Sequence, residues 1–201
     1  MRRWVVAILL VVAAACGGDD DDEAATTTTS AEVSPTTVEA PATTGDGQAP
    51  PAFGGTTTAT STPGSGPAFL TAVRAARQDG FDRVVFEFDG GPPGSNVGYV
   101  ERPITEDGSG EPVTVRGAAV LEVRMEPGAS ARLSGEDVVL TYTGPKRLRP
   151  PGTATVVELV QTGDFEAVLT WVVGTRARAP FKVARLSGPP RLVVDVAHAG
   201  R

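Results

Sequence analysis

The sequence is poor in the residues that most chemistry requires. Its 201 residues include one cysteine, Cys16, and one histidine, His198. A single cysteine cannot close an internal disulfide or build a cysteine-based zinc site. A single histidine cannot supply a multi-histidine metal centre. Basic residues are outnumbered, 18 Lys+Arg against 24 Asp+Glu, for a formal net charge of −6. That balance argues against nucleic acid as a partner. Apolar runs long enough to span a bilayer are also missing. Trp4–Ala15 would cover only about 18 Å as a helix, against a hydrocarbon core of about 30 Å. The chain has no G-x-S-x-G, no P-loop and no G-x-G-x-x-G; Gly128-Ala129-Ser130-Ala131 is spoiled by Arg132. Nothing in it calls for a cofactor or a metal.

The charge that is present is unevenly placed. Met1–Ala15 carries Arg2 and Arg3 and no acid. Gly17–Gly66 carries eight acids, five of them in Asp19–Glu23, and no base. Pro67–Arg201 has 16 of each sign. All the net negative charge therefore lies in the middle tract, which points to segments with separate jobs.

Residues 1–15 read as a signal peptide. Two arginines precede a short apolar run that ends in Ala13-Ala14-Ala15-Cys16. Small residues before a cysteine resemble a bacterial lipobox. That resemblance implies cleavage before Cys16 and a diacylglyceryl group on its thiol, enough to hold the chain to a membrane. The alternative is a secreted protein cut near Ala15, with Cys16 a free thiol. Residues 16–66 then read as a lipidated, disordered tether. Thr, Ala, Gly, Pro and Ser dominate it and Phe53 is its only aromatic, so it cannot bury enough apolar surface to offset backbone ordering. The Thr- and Pro-rich composition also suits an O-glycosylated stalk.

From Pro67 the texture changes to short runs of Val, Phe and Leu between Gly, Pro and Asp turns. Strands are expected near Phe69–Arg77, Phe81–Phe88, Val97–Glu101, Ala119–Met125, Val138–Tyr142, Thr155–Gln161, Phe165–Val173, Phe181–Leu186 and Arg191–Val196. Alternation places Val84, Phe86 and Phe88 on one face, and Leu169, Trp171 and Val173 on another. Pro and Gly recur too often for long helices. Residues 67–201 are thus expected to form one all-β domain, a two-sheet β-sandwich or an open barrel.

Four segments carry a family resemblance: FDRVVFEFDG at Phe81–Gly90, EDGSGEPVTV at Glu106–Val115, VVELVQTGDFEAVLTWVVG at Val156–Gly174 and PFKVARLSGPPRLVVDV at Pro180–Val196. Together they resemble the AMIN-like domain of actinobacterial lipoproteins, related to the broader AMIN domain found beside cell-wall amidases. The resemblance implies a β-sandwich that targets proteins to the envelope through peptidoglycan or neighbouring components, without the hydrolysis of an amidase.

The function expected on these grounds is a lipid-anchored, non-catalytic module. It would sit at the outer face of the bacterial cytoplasmic membrane and extend into the cell wall, where it would bind peptidoglycan or another wall glycan. Recruitment of an envelope protein, without glycan contact, is the alternative. A small carboxylate-dependent hydrolase ranks behind both, because the domain's acids fall in no recognisable pattern. Candidate ligand contacts are Tyr99 beside Arg102, Tyr142 near Lys146 and Arg147, and Trp171. The Asp107–Glu111 loop reads as an Asp/Gly turn rather than a calcium loop, and His198 as a solvated terminal residue.

Overall fold

Strand Phe81–Gly90 sets the pattern for the domain. Asp82, Val84, Phe86 and Phe88 are buried on its inner face, and Arg83, Val85 and Glu87 line the other. The computed structural model describes residues 53–198. The segment read as a signal peptide (1–15), the lipidation expected at Cys16 and residues 17–52 of the expected tether lie outside the described residues.

The strands, in chain order, are β1 (Thr60–Thr62), β2 (Ala68–Arg77), β3 (Phe81–Gly90), β4 (Gly94–Val100), β5 (Ile104–Thr105), β6 (Pro112–Val113), β7 (Ala119–Glu126), β8 (Gly128–Ala129), β9 (Ala131–Ser134), β10 (Asp137–Leu140), β11 (Arg147–Leu148), β12 (Val156–Phe165), β13 (Val168–Thr175), β14 (Phe181–Ser187) and β15 (Pro190–Ala197). The described residues contain no helix. One sheet runs β1-β4-β7-β13-β12-β11 and the other β14-β15-β3-β2-β8, with small hairpins β9–β10 and β5–β6 outside them. The fold is all-β, a two-sheet sandwich.

The main core lies between the sheets. Leu70, Val84, Phe86, Leu192 and Val194 from one sheet meet Leu121, Val123, Leu159, Leu169 and Trp171 from the other. A bulge after Leu70 lets Val73, three residues on, return to the same face. The six-stranded sheet is apolar on its outer face too, and the small β5–β6 hairpin and the segment after it cover part of that face. Val120, Val160 and Val172 pack there under Ile104 and Val115, contributed by the excursion between β4 and β7.

Each of the nine expected strands overlaps an observed one, but the expected Phe165–Val173 runs across the β12–β13 turn, where Glu166 and Ala167 take positive φ, and the boundary near residue 67 needs correction. Thr60–Thr62 pairs with β4, and Thr56 bridges to Phe181. Phe53 packs at 5.8 Å against Phe81, with the Lys182 ammonium 4.8 Å from its ring centre. The tract read as tether supplies an edge strand and an aromatic anchor. Its β-branched threonines suit an edge strand once a sheet is present to receive them.

His198 also needs correction. It is largely buried, and its Nε2 lies 3.0 Å from Oδ1 of the fully buried Asp82. Asp82 further accepts hydrogen bonds from the backbone N–H groups of Ala154, Thr155 and Val156, and so fixes the entry to β12. Burial pushes the Asp82 carboxyl up, but these amides and the His198 ring outweigh it and hold it below the usual carboxylate range.

Candidate functional site

The alternation of β4 turns Val97 and Tyr99 inward and leaves Val100 outside. Tyr99 stands edge-on to Phe181, with ring centres 5.9 Å apart. Its hydroxyl donates to the Ala179 carbonyl at 2.8 Å and accepts from the Ala179 N–H at 2.9 Å. Those two bonds lock the ring and fix the segment before β14. The neighbouring Arg178 guanidinium then lies 5.1 Å from the ring centre. Across from it, Arg102 Nη2 donates to the Gly117 carbonyl at 2.9 Å. Tyr99, Glu101, Arg102, Ala118 and Arg178 line an open groove of about 390 Å³.

A cluster of arginines lies at the same end of the domain, linked to the groove through the 116–118 segment that Arg102 bonds. Glu158 is fully buried, on a strand otherwise rich in Val and Leu. It accepts from Arg149 Nε at 2.8 Å and from the Arg116 N–H at 2.9 Å, and Arg147 Nη1 lies 2.9 Å from its Oε2. Burial pushes the Glu158 carboxyl up, but the Arg116 amide and the two guanidiniums outweigh it and hold it below the usual range. Arg147 also donates to the Thr114 carbonyl, and Arg176 Nε donates to that of Ala154. Close backbone approach makes this packing possible. A Cβ on Gly174 would collide with the Arg116 carbonyl oxygen, and Gly117 takes a φ of 121°.

The structure brings Tyr99 and Arg102 together as lining of one groove. It separates the other candidates from them. Trp171 is a correction: it has no exposed surface and packs between Phe86 and Tyr142, at 6.0 and 5.9 Å. Tyr142 is a correction as well. It is buried against that tryptophan, with its hydroxyl donating to the Pro145 carbonyl at 2.8 Å. Its ring has no wet face to offer a sugar. Lys146 lines a separate small cleft with Asp107, Gln161 and Asp164, while Arg147 turns to Glu158. The Asp107 carboxylate accepts from the Thr170 hydroxyl at 2.7 Å, a structural engagement of that turn.

Arg178 and Arg176 have no local sequence signal, because what they touch lies far away in the chain. Glu158 does have one: a single acid inside an apolar strand must find a partner.

No curated protein and no solved structure matches the chain. The family model described as "AMIN-like domain" matches residues 68–198, from the start of β2 to the histidine that meets Asp82. With nearly the whole sandwich inside that match, the chain belongs to the AMIN-like domain family.

Proposed function

We propose that this protein is a lipid-anchored, non-catalytic module that binds peptidoglycan or another wall glycan through the groove at Tyr99, Arg102 and Arg178. Membership of the AMIN-like family associates the chain with the cell envelope, and the family is in general a targeting domain rather than an enzyme. The observation that carries the binding reading is the groove itself. It is open, walled by two arginines and floored by a tyrosine whose position is fixed at its hydroxyl. Arginine forks suit the carboxylates and hydroxyls of wall polymers, and the fixed tyrosine beneath the Arg178 guanidinium holds that fork in place at small entropic cost. Co-sedimentation of the chain with purified sacculi tests it. Enrichment in the pellet, reduced in Arg178→Ala, is the expected result, and equal recovery with and without sacculi refutes it.

Anchoring through Cys16 is part of the same proposal. Cys16→Ala should release the protein into the medium, and retention in the membrane fraction would contradict a lipid anchor.

One observation favours recruitment of an envelope protein as a second reading. Hairpin β9–β10 exposes Leu133, Val138 and Leu140, and the outer edge of β10 pairs with no strand among the described residues. An open apolar edge suits the addition of a partner's strand. Cross-linking in cells from a reactive residue at Val138 checks this reading: adducts to a discrete envelope protein support it, and unlinked chain alone contradicts it.

A further inference from the structure

The domain's balanced charge conceals a strong polarity. Arg102, Arg116, Arg147, Arg149, Arg176 and Arg178 are all exposed and converge on one end of the sandwich, around the 114–118, 147–155 and 175–179 segments. Two carboxylates are in ionic contact with them. Glu158 is buried, and Glu101 is nearly fully exposed at 3.8 Å from Arg178. The exposed large hydrophobic residues lie toward the other end: Leu133, Val138, Val139 and Leu140 on hairpin β9–β10, Phe165 at the end of β12 and Leu186 near the end of β14.

We infer that the arginine-bearing end is a binding surface for an anionic polymer of the cell wall, one whose repeat carries phosphate or carboxylate groups. The inference rests on the wall-binding reading above and narrows its ligand. Each guanidinium offers five N–H donors. Arg147 and Arg149 are each pinned through one nitrogen on Glu158, Arg102 through one on the Gly117 carbonyl and Arg176 through one on the Ala154 carbonyl. The remaining donors of these exposed side chains are free to face a ligand. The pinning lowers the rotamer entropy lost on binding, and the planar fork matches anionic oxygens in pairs. Several such forks gathered at one end of the sandwich suit a chain with repeated charges better than a single small ion.

Anionic headgroups of a membrane share this chemistry, but one feature favours the wall. Among the described residues, the arginine end carries none of the exposed large hydrophobics that would enter a bilayer interface.

The test uses the full chain with Cys16→Ser, free of lipid, titrated with inorganic polyphosphate and with polyglutamate. Binding to at least one polymer is expected, weakening by about tenfold or more between low and physiological salt as counterions compete. The two arms report whether phosphate or carboxylate is preferred. The double variant Arg102→Gln/Arg178→Gln should bind about tenfold more weakly, and Arg132→Gln, at the far end, should bind as the parent does. Failure to bind either polymer, or equal binding by the double variant, overturns the inference. Binding to phosphatidylglycerol vesicles as tight as to the polymers, and lost in the same variant, overturns the assignment to the wall. Sacculi stripped of attached anionic polymers by acid separate this inference from the glycan reading. Retention on stripped sacculi without polymer binding sinks the inference alone. Polymer binding without retention on stripped sacculi sinks the glycan reading alone.

Discussion

Asp82 and His198, 116 positions apart in the chain, meet at 3.0 Å beneath the segment that leads into β12. The contact ties the last described residue to the second residue of β3, and through Asp82 to three backbone amides at the entry to β12. Removing the carboxylate strands those buried donors. Asp82→Ala should therefore cost about 3 kcal/mol or more, whereas His198→Ala, which leaves the amides bonded, should cost about 1 kcal/mol. Urea denaturation of the two variants checks the order, and equal losses would contradict it.

Acid should destabilise the fold through the same group and through Glu158. Both carboxyls are held below their ordinary range in the folded state. Unfolded carboxyls titrate near pH 4, so below that value the unfolded chain binds more protons than the folded one. The stabilisation is complete above about pH 4 and is lost as pH falls through the depressed folded values. Melting temperature should be nearly flat from neutral pH to about pH 4 and then drop steeply, with a shallower drop in Asp82→Asn. Thermal unfolding followed by circular dichroism across this range provides the measurement.

The two sets of apolar side chains should respond oppositely to truncation. Trp171 fills the space between the sheets, and Trp171→Ala should cost about 3–5 kcal/mol. Val138→Ser and Leu140→Ser change residues that are 68% and 63% exposed, and should shift stability by about 0.5 kcal/mol or less. A large loss from the hairpin variants would mean that the hairpin is packed against something in solution.

Phe53, the first described residue, is held by the domain through its ring. Its half-buried ring sits on Phe81 under Lys182, so Phe53→Ala should cost about 1 kcal/mol and lower the melting temperature by about 3 °C. Unchanged melting would show that the Phe53 ring adds nothing to the fold.

The long strands were legible because burial on an inner face writes itself into alternation, as in Val84, Phe86 and Phe88. The short ones were not. Strand β1 is Thr-Ser-Thr, and only its pairing with Val97 and its neighbours makes it a strand. Bulges hid the facing of Glu158: Val156 lies in the core, and an extra residue between them turns Glu158 outward to the arginines. Tyr99 and Arg102 were visible as near neighbours in sequence. Arg178 was not, because 80 positions separate Ala179 from the tyrosine that holds it. The exposed reading of Tyr142 failed for a related reason. Polar neighbours in sequence say nothing about a ring that folds back onto a tryptophan.

The ten residues of β3 run the length of the sandwich, from Phe81 beside the arginine end to Asp89, where Arg132 of the apolar hairpin is fastened. At ~3.3 Å per residue that strand is a rigid strut of about 30 Å. Anything bound at one end would be held clear of anything bound at the other, and the strand itself fixes that spacing.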